Sequence, residues 1–325
     1  MHERTAAVVF LGMDSVYSTR VLTAVLERGH RVLAVVKPLS GLESRRRNML
    51  TRSTYVPGVA NRAINHLTHA LPQVDRDETD PFHVAAVWGC PCFTVGSFSG
   101  DKAIELLHKL SPDVISIAFF NQLLRAPVLA IPRLGTVNAH PSMLPAYRGP
   151  SPLFWMLRNG EERGGVTVHL VDAGEDSGAI LQREETPIPL GITGPELLDK
   201  LSDIAARLMV RAIDDLVAGT AHGEPQPSEA ATRHGRPGDA DLQVRFDQPA
   251  TRVFGLVRAL APWAPLWAEL DGERVRLLDA TVYDATAQLG ADLVLSGDEV
   301  AVQCQPGVVI LKTRRPLPTT DAHQR

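Results

Sequence analysis

The sequence is poor in cysteine and in long apolar runs, and each shortage excludes a class of protein. Its 325 residues include three cysteines, Cys90, Cys92 and Cys304, which cannot all pair and whose spacing fits no common zinc site. The segment "GCPCF" favours a buried strand over a redox or metal role. No run approaches the roughly 18 apolar residues of a membrane span, and the first residues lack the features of a signal peptide. We expect a soluble, cytoplasmic protein that binds no membrane.

An excess of charge of one sign is also missing. The formal net charge is −4, which disfavours a surface built to neutralise many phosphates. Hydrophobic residues make up 44% of the chain and charged residues 22%, so the chain can bury a substantial core. The length allows one large domain or two modest ones.

Apolar runs and helical periodicity alternate over the first two thirds of the chain. The runs "AAVVFLGM", "RVLAVVKP" and "DVISIAFF" are continuous, as in parallel strands covered on both faces. Further strands are expected at "CFTV", "TVNAH", "VTVHLVD" and "AILQREETPI". The segments "DSVYSTRVLTAVLERGH" and "DKAIELLHKL" predict helices, the second capped by Asp101. This alternation predicts an α/β fold with a doubly wound, mostly parallel sheet.

The pattern changes after a long amphipathic segment that ends at Gly219. Residues 220–240 contain three glycines and three prolines and show no hydrophobic periodicity, and they predict a linker. A short helix, a hairpin with an Asp-Gly turn and two more strands follow. We therefore predict a catalytic domain at 1–219, a linker at 220–240 and a smaller barrel-like β domain at 241–325, with Trp263 and Trp267 in its core.

The segment "NAHPSMLPAYRG" carries the clearest chemical signal. Asn138 and His140 lie two residues apart on a predicted strand, so their side chains share one face. Ligands of open α/β sheets bind beyond the carboxyl ends of the strands, where this pair lies. Two convergent donors can hold an oxyanion, and histidine can also move a proton. The alternative is that both side chains only satisfy backbone groups of the loop.

A second segment, "VDAGEDSGAI", supplies a carboxylate partner for the histidine. Asp172, Glu175 and Asp176 lie on a loop between two predicted strands, and Gly174 and Gly178 allow a tight turn around Asp176. A carboxylate beside His140 would raise the pKa of the imidazole and stabilise its cation.

The two segments together resemble the superfamily of formyltransferases that depend on 10-formyltetrahydrofolate. The shared pattern is the Asn-x-His pair, a Ser-Leu-Leu-Pro turn that leads to Arg148-Gly149 and in which Met143 replaces one leucine, and Asp176-Ser177-Gly178. The C-terminal part is similar to the OB-like domain that the tRNA enzymes and some sugar enzymes of this superfamily carry. The resemblance implies a formyltransferase-like Rossmann variant followed by that smaller domain.

The resemblance also implies a mechanism and a set of binding residues. An amine attacks the formyl carbon, Asn138 and a protonated His140 stabilise the oxyanion, Asp176 supports His140, and N10 of the folate leaves with the proton. No metal is expected. The residues expected to bind the folate are Phe119, Phe120, Asn121, Gln122, Leu123, Leu124, Ser142, Leu144, Asp172 and Ser177. Those expected to contact the acceptor are Met13, Ser15, Tyr17 and Arg148. Plain sheet core would equally explain the apolar members, and helix capping would explain Ser15.

The acceptor is left open by the sequence. From Asp241 onward nine Lys/Arg residues face eleven Asp/Glu residues, and this net charge of −2 is opposite to that expected of a tRNA-binding domain. We therefore expect a small amine or hydroxylamine, such as an amino sugar nucleotide or an amino acid. The alternative is methionyl-tRNA, and a folate hydrolase is a further one.

Three further patterns in the sequence do not favour an additional functional site. The consecutive residues Arg45, Arg46 and Arg47 fan around a helix axis as a solvated surface, although they could grip a phosphate or carboxylate. His66 and His69 lack an obvious third metal ligand. A nucleotide-dependent oxidoreductase is disfavoured, because the loop after the first strand has a single glycine, Gly12.

Overall fold

A computed structural model describes residues 5–39, 50–53, 79–296 and 299–314 of the chain. The arginine run at 45–47 and the histidines at 66 and 69 lie outside these residues. Among the described helices, none combines the length and the apolar character needed to cross a bilayer.

The chain divides into two compact units, each assembled from several segments. Unit 1 comprises Met1–Pro152, Arg163–Pro187 and Leu198–His234, and unit 2 comprises Leu153–Glu162, Ile188–Leu197 and Gly235–Arg325. Residues 220–234, which the sequence predicts as linker, belong to unit 1. The domain limits predicted at 219 and 241 stay a prediction.

Unit 1 is built on eight strands. They are β1 (Ala7–Gly12), β2 (Arg31–Pro38), β3 (Leu50–Ser53), β4 (Cys92–Val95), β5 (Val114–Ala118), β6 (Gly135–His140), β7 (Arg163–Leu170) and β8 (Ile180–Pro187). The helices α1 (Val16–Glu27), α2 (Pro81–Val87), α3 (Asp101–Leu110) and α4 (Ala126–Leu129) belong to unit 1. The helix α5 (Pro152–Asn159) belongs to unit 2 apart from Pro152, and α6 (Gly194–Ala218) begins in unit 2 and belongs to unit 1 from Leu198 onward.

The eight strands form one sheet in the order β3-β4-β2-β1-β5-β6-β7-β8. The five central strands, β4 to β6 in this order, run parallel, whereas β3, β7 and β8 pair antiparallel to their neighbours. The order of the strands reverses between β1 and β5, and ligands of open α/β sheets bind beyond the carboxyl ends of the strands at such a point. The predicted mostly parallel sheet is confirmed.

Buried aliphatic side chains hold the helices of unit 1 against this sheet. Leu107 of α3 is fully buried in a cluster with Val9, Val36, Ile115 and Val128. Because a strand inside a doubly wound sheet is covered on both faces, all six residues of β1 are buried. The helix α3 begins at the predicted residue, but Gly100 occupies the N-cap and no side chain caps it, so the predicted capping by Asp101 is wrong.

Unit 2 contains a five-stranded antiparallel sheet and the helix α7 (Ala250–Leu260). Its strands are β9 (Trp267–Leu270), β10 (Glu273–Asp284), β11 (Leu293–Ser296), β12 (Glu299–Gln303) and β13 (Val308–Arg314), in the order β11-β12-β13-β10-β9. The small C-terminal β domain is confirmed.

The tryptophans of unit 2 do not occupy its core. Trp267 is half-buried, and the guanidinium carbon of Arg274 lies over its ring, 3.9 Å from the ring centre. The indole N–H of Trp267 donates to the carbonyl of Asp239. Trp263 is also half-buried. Aliphatic side chains such as Leu266 fill the core instead. The predicted core role of both tryptophans is therefore wrong. A large ring with a polar N–H group favours a half-buried position, where one end contacts apolar side chains and the other contacts water.

Candidate active site

The carboxyl end of β6 brings the two predicted donors to one place. Asn138 and His140 lie on the same face of β6, as the alternation of a strand requires. The neighbouring strand β7 runs antiparallel and pairs His169 with Asn138. The His140 and His169 side chains are nearly inaccessible, at 6% and 1% exposure, whereas Asn138 stays half-buried. A strand end with two imidazoles and an amide is thus formed by register alone.

Two loops close around this strand end. The loop of residues 141–149, here named the RG loop, follows β6, and the loop of residues 171–178, here named the acidic loop, joins β7 to β8. The carbonyl of Tyr147 lies 2.8 Å from His140 Nε2. The backbone N–H of Gly149 donates to Asp176 Oδ2 over 2.9 Å. The RG loop therefore contacts both the predicted histidine and the predicted carboxylate.

Asp176 lies between the two imidazoles. Its Oδ2 is 3.7 Å from His140 Nδ1 and its Oδ1 is 3.6 Å from His169 Nε2. Asn138 Nδ2 donates to the same Oδ1 over 3.4 Å. The structure therefore brings the three residues predicted from the sequence together around one carboxylate.

The hydrogen-bond partners assign the protons on both imidazoles. His140 Nε2 faces the Tyr147 carbonyl, so this nitrogen carries the hydrogen and Nδ1 is the unprotonated nitrogen of the neutral ring. His169 Nδ1 faces the carbonyl of Leu170 at 2.8 Å, so its Nε2 accepts a hydrogen bond from Asn138 Nδ2 at 3.2 Å. Both Nδ2 hydrogens of Asn138 therefore have partners within the protein, over long distances.

The pKa values follow from burial and from these contacts. Burial lowers the pKa of His140 below 6.5, and the Asp176 carboxylate offsets this only in part. Burial opposes the ionisation of Asp176, yet His140, His169 and the Gly149 N–H outweigh it and hold the pKa of the carboxyl well below its ordinary value. The directions of these pKa shifts favour an ionised Asp176 and a neutral His140 in the resting site at neutral pH, and the protonated His140 expected during the transfer stays a prediction.

Left-handed backbone recurs at residues of this site. Phe119 directly after β5, Tyr147 in the RG loop and Asp176 in the acidic loop have φ angles of 57°, 61° and 53°. A residue with a Cβ atom pays a steric cost in this region, and such residues concentrate where function fixes the backbone. The backbone conformation thus marks the same three segments as the side chains do.

The segment expected to bind the folate, residues 119–124, points in several directions. Phe119, Asn121 and Leu123 are exposed, and the last reaches 69%. Phe120 packs against the core cluster, where its ring meets Phe98 edge to face, and Leu124 is buried there. The Gln122 amide binds backbone groups of Phe98 and Gly96. Of this segment, the exposed residues are available to a ligand, whereas the others hold the loop.

The remaining candidates are divided between surface and interior. Ser142 and Leu144 are buried, and the Ser142 hydroxyl donates to the carbonyl of Ala146. Asp172 is exposed and accepts a hydrogen bond from the half-buried Ser177. Ser142 and Leu144 therefore shape the RG loop, and their predicted contact with a ligand has no exposed surface to support it.

The acceptor candidates are similarly mixed. Ser15 caps α1 by accepting from the N–H of Tyr17, and Met13 is half-buried. Tyr17 is fully buried and its hydroxyl donates to the carbonyl of Ala139. The Arg148 guanidinium donates to Gln226. The buried Tyr17 therefore has no exposed surface for the expected contact with the acceptor. Arg148 is half-buried and gives two of its five N–H donors to Gln226, so its expected contact with the acceptor stays a prediction.

Sequence reasoning missed His169 at this site. One histidine inside an apolar run gives no signal, because only the register of β7 against β6 places it opposite Asn138. Within the described part of the chain, no cluster of three or more His, Cys, Asp or Glu residues is arranged to hold a metal ion.

Comparisons with known proteins identify the family and agree with this fold. The family model described as formyl transferase matches residues 65–213, and the formyl transferase C-terminal domain matches residues 238–318. Methionyl-tRNA formyltransferase of Lachnospira eligens is 31% identical over 91% of this chain and 85% of its own length. Methionyl-tRNA formyltransferase of Pelobacter propionicus is 29% identical over 94% of this chain and 87% of its own length.

Two solved structures share the fold. The N-formyltransferase of Helicobacter canadensis, in complex with folinic acid and dTDP-3-aminofucose, has a TM-score of 0.67 at 15% identity and covers 94% of this chain and 99% of its own. HypX of Aquifex aeolicus, in complex with tetrahydrofolic acid, has a TM-score of 0.60 at 17% identity over 94% of this chain and 43% of its own. The chain belongs to the formyltransferase family and is an N-formyltransferase.

Proposed function

We propose that this enzyme transfers a formyl group from 10-formyltetrahydrofolate to the amino group of methionyl-tRNA. The observation that carries the transfer chemistry is the meeting of Asn138, His140 and Asp176 at the end of β6. The acceptor rests on the methionyl-tRNA formyltransferase of L. eligens, which matches this chain at 31% identity over 91% of its length.

The residues at and after the carboxyl ends of β5 and β6 fit a folate co-substrate. The exposed Phe119 and Leu123 offer apolar surface to a flat heterocycle. The amide of Asn138 is the donor for the formyl oxygen, which needs polarisation because amide-type resonance makes the carbonyl carbon a poor electrophile. Its contacts to His169 and Asp176 measure 3.2 and 3.4 Å, so exchanging one of them for the formyl oxygen costs little.

In the reaction the amine nitrogen bonds to the formyl carbon and the bond from that carbon to N10 breaks. The attacking amine loses one proton, and N10 gains one. His140 is neutral with Nδ1 free of hydrogen, so it can accept a proton there, 3.7 Å from the Asp176 carboxylate. The ionised carboxylate stabilises the resulting cation and keeps its orientation. We assign His140 as the group that moves the proton.

A small amine is the second candidate acceptor. The net charge of −2 over residues 241–325 favours it, because a surface that holds tRNA is usually basic. The comparisons support methionyl-tRNA better, since the sugar enzyme of H. canadensis shares only the fold, at 15% identity.

A single set of incubations tests the proposal. The protein and its His140→Ala variant are mixed with 10-formyltetrahydrofolate and either charged initiator tRNA or a panel of amino sugar nucleotides, amino acids and hydroxylamines, and release of tetrahydrofolate is followed. We expect turnover with methionyl-tRNA and none with the variant. Turnover with a small amine alone would replace the acceptor, release without any acceptor would indicate a hydrolase, and no release at all would refute the proposal.

A further inference from the structure

The segment of residues 224–234, here named the strap, runs across both loops of the site. The sequence predicts it as linker, because it has many small and turn-forming residues and no periodicity. Within unit 1 it instead forms hydrogen bonds with the RG loop and the acidic loop. The strap is therefore part of the structure around the site.

Gln226 is the centre of the strap. Its Nε2 donates to the carbonyls of Asp176 at 2.9 Å and Gly178 at 2.7 Å. Its Oε1 accepts from Arg148, over 3.1 Å from Nε and 2.7 Å from Nη2. An amide has two donor hydrogens and two acceptor positions, so all four are used. This single side chain therefore ties the RG loop to the acidic loop.

Backbone pairing fixes the strap on either side of Gln226. Glu224 exchanges two hydrogen bonds of 2.8 Å with Ile180, at the end of the acidic loop. Farther along, Arg148 donates its backbone N–H to Thr232 at 2.9 Å and accepts from the N–H of His234 at 3.0 Å. Between residues 224 and 230 Gln226 is half-buried, whereas its neighbours are exposed.

Side chains add a second set of contacts between the strap and the two loops. The Arg233 guanidinium pairs with Glu175 of the acidic loop at 2.6 Å. The His234 ring stacks on Tyr147 of the RG loop, with 5.3 Å between ring centres. Tyr147 is the residue whose carbonyl orients His140, and Glu175 adjoins Asp176. Each contact therefore lies beside a group of the site.

Holding these loops matters because their backbones do not adopt the required shape unaided. Tyr147 and Asp176 both have left-handed φ angles, which a non-glycine residue keeps only when its surroundings enforce them. Gln226 donates a hydrogen bond to the Asp176 carbonyl. It also accepts one from Arg148, which directly follows Tyr147 in the chain. The separation of 3.7 Å between Asp176 and His140 depends on both loops keeping their places.

We infer that Gln226 is a positioning residue for formyl transfer, which sets Asp176 against His140 by joining the two loops. This inference rests on the proposed function only for its kinetic readout. A displacement of about 1 Å at a reacting group can cost on the order of 100-fold in rate, so loss of the four hydrogen bonds acts on kcat more than on KM.

Two variants separate the halves of this contact. Gln226→Leu removes all four hydrogen bonds, whereas Gln226→Glu keeps the acceptors for Arg148 and loses the donors to Asp176 and Gly178. Gln182→Leu is the matched control, since Gln182 is also half-buried and its amide donates to Asp215, outside both loops. Thermal unfolding of all three checks the fold, and Gln226→Glu carries the test if Gln226→Leu does not fold.

Two readouts decide the outcome. We expect kcat to fall about 10- to 100-fold in both Gln226 variants, with KM for the folate within about threefold, and Gln182→Leu to stay within about twofold of the parent. NMR titration of the His140 ring, assigned by its loss in His140→Ala, should show a lower pKa in Gln226→Leu, because Asp176 supports the cation less. Gln226→Glu is judged by kcat, since its added carboxylate acts on the His140 pKa in the opposite direction.

The NMR readout needs no substrate, so it separates this inference from the proposed function. A protein without formyl transfer would refute the function, while a shifted His140 titration would still support Gln226 as the positioning residue. An unchanged His140 titration in folded Gln226→Leu, or a kcat within twofold of the parent in either folded Gln226 variant, would overturn the inference.

Discussion

Replacing Asp176 by Asn removes one negative charge from the centre of the site while keeping the shape of the side chain. The carboxylate oxygen Oδ2 lies 3.7 Å from His140 Nδ1, and the two side chains are 16% and 6% exposed. At this distance and an effective dielectric constant of about 20, an ion pair gains about 4 kcal/mol. The amide dipole of Asn recovers part of it. We therefore expect kcat to fall about 10²- to 10³-fold.

The assay for this variant follows the conversion of 10-formyltetrahydrofolate to tetrahydrofolate at saturating acceptor. Urea unfolding of both proteins establishes that the Asp176→Asn variant is folded. The Gly149 N–H keeps an acceptor in the variant, because the Asn side-chain oxygen can take the place of Oδ2. A folded variant whose kcat stays within about threefold of the parent would show that the charge does not take part in the transfer.

The remaining predictions concern pH, backbone space and one buried hydroxyl. The pKa of His140 is lowered and the proposed mechanism uses its neutral ring, so kcat should be highest above this pKa and should decline as the pH falls below 6.5. A rate that instead declines as the pH is raised through this range would show that the cation is the active form. Gly149→Ala should lower the free energy of unfolding by at least about 2 kcal/mol in a urea titration, because φ is 108° and the new Cβ would lie 2.2 Å from the carbonyl oxygen of His234. Tyr17→Phe should cost about 1 kcal/mol of stability by losing the bond to Ala139 and leave KM for the acceptor within twofold; a large rise in that KM would restore Tyr17 as an acceptor contact.

Much of the sheet could be predicted because its signals are local. The strand β2 occupies the predicted "RVLAVVKP", since a continuous apolar run is what burial on both faces demands. The short strand β11 was missed, because Leu293–Ser296 is mostly exposed and lies in a segment without alternation. Exposed edge strands carry little of the hydrophobic pattern from which strands are recognised.

Only those site residues that a local sequence pattern indicates could be predicted. Asn138 and His140 share a strand face by spacing alone, and the glycines around Asp176 indicate a turn. The contribution of His169 depends on the register of two strands, and that of Gln226 depends on where an irregular segment returns. Both are long-range features, so a local pattern has no means of showing them.

The protonation state of His140 was also beyond the sequence. A nearby carboxylate argues for a cation, but the cost of desolvating a ring with a few per cent of its surface exposed is greater. Burial of a single side chain to this degree depends on how the RG loop folds back over β6. The sign of the pKa change could therefore be obtained only from the assembled structure.

The imidazole of His140 is oriented by a main-chain oxygen, that of Tyr147, and this has a consequence for how the enzyme can vary. No replacement of the residue at 147 can delete that oxygen, so the histidine keeps its partner whatever side chain evolution places there. What is open to change is the fit of the ring against His234 and the ease with which the new residue tolerates a positive φ. Glycine or asparagine at 147 should accordingly preserve the orientation of the imidazole, whereas a β-branched residue should disturb it from a distance.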